Sequence, residues 1–240
     1  MEKKETSIFY LGIAQGESFT GGRRERKSGL PIRAAENRLE YPGGYIKVFY
    51  AMLPEFSGRK LGSRKGKAWK PKVKQQLLQR TLEKVREEST YSEILLTSQL
   101  SLEKQEVPIE LQAAYLHRHA PFDRVYVCFS GEGGTFEARE AILLLSPYLK
   151  RMRQVVLSGK ESAATELFSE YLYYEYGIVP ERKRKMVGAS GRASEKPVVL
   201  DLGNRAAEEG VPLGACQCIN NEETLKFLDT TIKNGYNTES

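Results

Sequence analysis

The residues with most chemistry to offer stand where apolar runs stop at turns. Ser130-Gly-Glu-Gly-Gly-Thr135 follows the run Arg124-Val-Tyr-Val-Cys-Phe-Ser130 and precedes an amphipathic stretch. A strand end, glycines and a helix start together leave backbone N–H groups beside the positive end of a helix dipole, a setting that suits phosphate or carboxylate. Ser130, Gly131, Gly133, Gly134 and Thr135 are therefore candidate ligand contacts. Ser158-Gly-Lys-Glu-Ser162 and Asp201-Leu-Gly-Asn204 occupy equivalent places after later apolar runs. There Ser158 and Lys160 are placed to meet an anion, and Asp201 a ribose hydroxyl or a metal-bound water. The competing reading is ordinary turn chemistry, with glycine for its backbone angles, Ser162 as a helix cap and Asp201 as a turn former.

No complete catalytic or cofactor signature accompanies these turns. The third glycine of a dinucleotide fingerprint would fall at Phe136, no lysine-serine pair follows to make a P-loop, and a nucleophile elbow G-x-S-x-G is absent. Cys216-Gln-Cys218 and His117-Arg-His119 supply four soft ligands, but one residue rather than two separates the cysteines. That spacing favours a strand edge over a zinc knuckle, so no metal is expected. Catalytic residues stay unassigned, as does any cofactor. If acid and base groups converge only in the fold, Asp201, Glu132 and Lys160 are the first to suspect.

A different chemistry sits in residues 56–74, where Arg59, Lys60, Arg64, Lys65, Lys67, Lys70, Lys72 and Lys74 occur with no acid among them. Together with Trp69, this charge has the ingredients of RNA or DNA contact, a positive groove plus a stacking ring. Smaller clusters stand at Arg23-Arg-Glu-Arg-Lys27 and Arg182-Lys-Arg-Lys185, within a chain of 37 basic and 31 acidic residues. The competing reading is a set of solvated loops, and residues 15–38, 56–70 and 181–196 are expected to be mobile.

The elements that must position these groups follow from periodicity. Residues 124–130 read as a strand buried on both faces. Ala138, Ala141, Ile142, Leu145, Leu149 and Met152 then mark one face of a helix capped by Thr135, with a break near Ser146 before Pro147. A second strand, Gln154-Val-Val-Leu157, leads to a helix over residues 162–176 with Ala164, Leu167, Phe168, Tyr171 and Leu172 inward and Gly177 as its stop. Ile178-Val179 starts a third strand before Pro180, and 197–202 gives another. Crossovers of this length join parallel strands, so the expected fold is α/β, a Rossmann-like or flavodoxin-like parallel β-α-β-α-β unit. Strands at 8–14 and 45–53, expected to pair antiparallel, and a helix from Pro71 to about Glu88 extend it as an N-terminal hairpin and helix. Further helices are expected at 108–117 and 221–233.

At 240 residues with 40% hydrophobic content the chain is expected to form one α/β domain. No run approaches a membrane span, and the opening apolar stretch is broken by Gly12 and Gln15. Three cysteines make no disulfide framework, so a reducing cytoplasm is expected. The phrases Tyr-Leu-Tyr-Tyr-Glu-Tyr-Gly at 171–177 and Leu-Lys-Phe-Leu-Asp-Thr-Thr-Ile-Lys-Asn-Gly-Tyr-Asn-Thr at 225–238 resemble a group of uncharacterised bacterial proteins. That resemblance lies mainly in the second half; it implies a bacterial cytoplasmic origin and carries no activity or site residue with it. The leading expectation from the residues is a non-catalytic binding or regulatory protein for a nucleotide or other phosphorylated small molecule. Nucleic-acid binding through 56–74 and an enzyme at the strand carboxyl edge are the alternatives.

Overall fold

The computed structural model describes residues 4–13, 34–53, 71–88, 91, 93–97, 100, 105–183, 197–203 and 216–238. It is a mixed α/β structure with two sheets, of order β2-β3-β1-β4 and β7-β6-β5-β8-β9. The strands are β1 (Lys4–Ile13), β2 (Ala34–Tyr41), β3 (Gly44–Leu53), β4 (Glu93–Leu96), β5 (Arg124–Cys128), β6 (Gln154–Ser158), β7 (Glu181–Lys183), β8 (Val198–Asp201) and β9 (Gln217–Ile219). The helices are α1 (Pro71–Glu88), α2 (Ile109–Arg118), α3 (Thr135–Leu145), α4 (Ala163–Tyr176) and α5 (Asn221–Thr238). Contacts gather the chain into two compact units, one of residues 1–39, 44–105 and 228–240, the other of 40–43 and 106–227.

In the first unit β1 is flanked by β3 and β4 and is parallel to both. The expected antiparallel pairing of β1 with β3 is therefore wrong. The hairpin partner of β3 is β2, which begins inside the stretch read as a loop to Arg38. Pro42 and Gly43 make the connecting turn, and Gly43 takes a left-handed φ of 103° that favours glycine. β2 escapes notice because Ala-Ala-Glu-Asn-Arg-Leu-Glu-Tyr lacks an apolar alternation, which an edge strand can do without. Val85 of α1 is buried with Phe9, Leu11 and Ile13 of β1, and Leu78 and Leu82 pack against the same cluster. On the opposite strand face the Tyr10 hydroxyl donates to Asp229 of α5 at 3.0 Å.

Among the described residues all strands of the second sheet are parallel. Numbered in its own chain order the sheet runs third, second, first, fourth, fifth, so the direction of addition reverses between β5 and β8. Val125, Val127, Val155, Leu157, Val198 and Leu200 meet Leu116 of α2, Ala138, Ala141, Leu144 and Leu145 of α3, and Phe168 and Leu172 of α4 in one core. Burial of each large apolar side chain there contributes about 1.5–3 kcal/mol. The opposite face carries Tyr126, Cys128, Val156, Val199, Cys216 and Cys218, also buried.

Helix ends follow local chemistry, with some corrections. Ser162 caps α4: its hydroxyl accepts the Thr165 N–H at 3.4 Å while Thr165 Oγ1 accepts the Ser162 N–H at 2.6 Å. Gly177, at φ 67°, ends that helix. α3 starts one residue earlier than a Thr135 cap requires, since the cap position belongs to Gly134. It stops at Ser146 because Pro147 has no N–H to continue the ladder. Leu167, expected inward, is 41% exposed, because Ala164, Phe168 and Leu172 at spacings of four already fill the buried stripe. The third strand forms after Pro180 rather than at Ile178-Val179, where a residue without an N–H would interrupt it. α5 runs through Gly235 to Thr238, past its expected stop. No helix among the described residues is long and apolar enough to cross a membrane.

Candidate functional site

The carboxyl ends of β5, β6 and β8 are in register, Cys128 pairing with Ser158 on one side and with Asp201 on the other. In-register parallel neighbours turn their side chains to one face, so Ser158, Cys128 and Asp201 form a row across three strands. Ser158 is 2% exposed, and its hydroxyl has no hydrogen-bond partner among the described residues. Asp201 is equally buried, whereas Lys160 and Glu132 are exposed, so the three groups suspected of acid-base work lie in unlike surroundings.

The glycine turn is built on this edge. Gly133 N–H donates to Ser130 O at 2.9 Å, and Gly133 O accepts the N–H of Ala164, in the first turn of α4, at 2.9 Å. The Glu137 carboxylate folds back over the turn, accepting the Ser130 N–H at 2.8 Å and the Ser130 hydroxyl. A Cβ at Gly133 would lie 2.7 Å from Glu137 Oε2, so glycine makes room for that carboxylate. From the other side Leu202 N–H donates to Cys128 O at 3.0 Å, and a Cβ at Gly203 would lie 2.6 Å from Ser130 N. The turns at 130–135 and 201–203 thus touch through backbone, and 130–135 also touches the start of α4. Glu137 is an acidic residue in the first turn of α3, where the helix dipole favours negative charge, and beyond that position its clamp on Ser130 has no signal in the sequence.

The two helix starts at this edge differ. α4 caps itself through Ser162, while Gly134 brings no side chain to the first turn of α3. Thr135 and Phe136 there are exposed, Phe136 by 74%. Comparison of the chain with family models, curated proteins and solved structures finds no match.

Electrostatics narrow the chemistry. Burial first, then Glu137 and Glu106, pushes the Glu140 carboxyl up. Burial, then Asp201, Cys216 and Cys128, holds the Cys218 thiol far above its ordinary range, which removes it as a nucleophile near neutral pH. His117 Nδ1 lies 3.1 Å from the Tyr148 hydroxyl, and burial followed by Arg118 lowers the pKa of His119. No group of three or more His, Cys, Asp or Glu side chains among the described residues is arranged to hold a metal. Arg59, Lys60, Arg64, Lys65, Lys67, Trp69 and Lys70, like Asn204 and the cluster at 23–27, lie outside the described residues.

Proposed function

We propose that the second unit is a non-catalytic binding module for a nucleotide or other phosphorylated small molecule, held at the carboxyl edge of its sheet. The observation that carries this reading is the reversal of strand order between β5 and β8 directly beside the glycine turn. In open parallel sheets ligands collect where loops diverge at such a reversal, and the order third-second-first-fourth-fifth supports a Rossmann-like reading, whose two halves meet at that point. The uncapped first turn of α3 and the buried, unpartnered Ser158 hydroxyl add donors at the same edge. Phe136, in place of a third glycine, argues for a mononucleotide or sugar phosphate over a dinucleotide.

A thermal-shift panel of nucleotides and sugar phosphates tests the reading. A ligand at a hundred times its Kd stabilises by about 2.7 kcal/mol. Gly134→Ser, which gives α3 its own cap, should leave the fold intact and weaken the response. No stabilisation by any member of the panel would dismiss the site. The basic run at 56–74 supports a second reading, contact with RNA or DNA. It predicts affinity that falls steeply with salt, with a slope reduced by charge reversal at Arg64, Lys65 and Lys67.

A further inference from the structure

The edge of the second sheet carries a pattern that is complementary to itself. Among the described residues β7 has one neighbour, β6, and Lys183 O accepts the Gly159 N–H at 3.2 Å. Pairing sides alternate along a parallel strand, so Glu181 and Lys183 address β6 while the N–H and C=O of Arg182 point away from the sheet. Short charged edges normally resist further pairing. Here the order Glu-Arg-Lys has a different consequence. A two-fold axis beside Arg182 sets it opposite Arg182 of a second copy, exchanging two N–H···O bonds, and sets each Glu181, bridged to Lys183 of its own strand at 3.2 Å, opposite the other copy's Lys183. The two arginine charges that approach across this axis are each compensated, since Arg182 Nη1 lies 2.7 Å from Glu161 Oε1 of its own chain.

The surface beside this edge fits the same partner. Arg182 is level with Leu157, whose side chain faces the helices, so the Arg182 side chain lies on the α4 side. Tyr173, Tyr174 and Val179 are 58%, 78% and 78% exposed there and, with Pro180 and Arg182, line a groove of about 280 Å³. A two-fold perpendicular to the sheet brings the same helix face of both copies together, so each tyrosine pair meets its own counterpart. Tyrosine supplies apolar area with a polar tip, which suits such a seam. From the outward Arg182 backbone, the self-complementary charges and the exposed tyrosines, we infer that the protein forms a two-fold dimer through β7 and α4, joining two sheets edge to edge. This is independent of any ligand at the carboxyl edge.

Sedimentation of the full chain from about 1 to 100 μM tests the dimer, spanning the affinities usual for modest interfaces. The single chain is 27.1 kDa, and twice that mass is expected at the upper end. Lys183→Glu places like charges opposite each other at both ends of the pairing and should raise the dimer Kd about tenfold. Adding Glu181→Lys in the same chain restores opposite signs and should recover most of the loss. Tyr174→Ser, on α4 and so outside the strand, should also weaken association without changing the circular dichroism. A single-chain mass throughout, as expected if a different partner takes this edge, overturns the inference. So does an assembly larger than two, or a dimer indifferent to both Lys183→Glu and Tyr174→Ser.

Discussion

Replacing Gly203 by alanine should destabilise the second unit more than its surface position suggests. The new methyl carbon would lie 2.6 Å from Ser130 N, 2.8 Å from Ser130 Cα and 3.0 Å from Phe129 C, all main-chain atoms that cannot swing aside. Both turns are pinned, one by Leu202 N–H on Cys128 O at 3.0 Å, the other by Ser130 N–H on Glu137 at 2.8 Å. Relief therefore requires a backbone shift at the end of β5 or β8, and overpacking of this kind costs about 1–3 kcal/mol. For a chain of this length that is a fall in Tm of roughly 2–12 °C. Gly134→Ser is the control, because a Cβ there meets nothing within 4 Å and a serine cap is better than glycine by a few tenths of a kcal/mol, about 1 °C. Urea and thermal unfolding of both variants measure the difference. If Gly203→Ala matches the parent within error, the contact between the two turns is not what holds that edge.

Ser162→Ala removes half of the reciprocal cap on α4 and should cost about 1 kcal/mol, read as a lower urea midpoint at unchanged slope. One α/β domain over residues 1–240 predicts that this variant moves a single transition; a loss confined to one of two transitions would show that the compact units unfold separately. Burial pushes the Tyr148 phenol up to about 12 and the Tyr10 phenol above its ordinary 10 as well. The unfolded chain releases these protons near pH 10 while the folded one keeps them, so stability should be flat below that pH and fall from about 10 to about 12. Tyr148→Phe should make that fall shallower, and an unchanged alkaline profile would count against the buried phenol.

Legibility in the sequence followed burial. β5, β6 and β8 were readable because strands covered on both faces are continuous apolar runs, and α3 and α4 because Ala138, Ala141, Ala164, Phe168 and Leu172 keep a helical spacing. β2 and β7 were not, since edge strands carry charges and need no alternation; the wrong pairing of β1 with β3 followed directly from missing β2. At the candidate site the three turns were readable as strand ends, and their common register depended on parallel order, which was anticipated. The Glu137 clamp and the approach of Gly203 to Ser130 were not, because one joins a helix side chain to a turn and the other joins two turns, and the spacing in the chain, 7 residues in one case and 73 in the other, says nothing of their distance.

All three thiols of the chain, Cys128, Cys216 and Cys218, are outside any disulfide and are buried together on the sheet face opposite α2, α3 and α4. A small alkylating reagent reaches such groups only during moments when that face is bared. Their labelling rate is therefore an internal clock for partial opening of the second unit, and it can be timed in the native chain without introducing a probe.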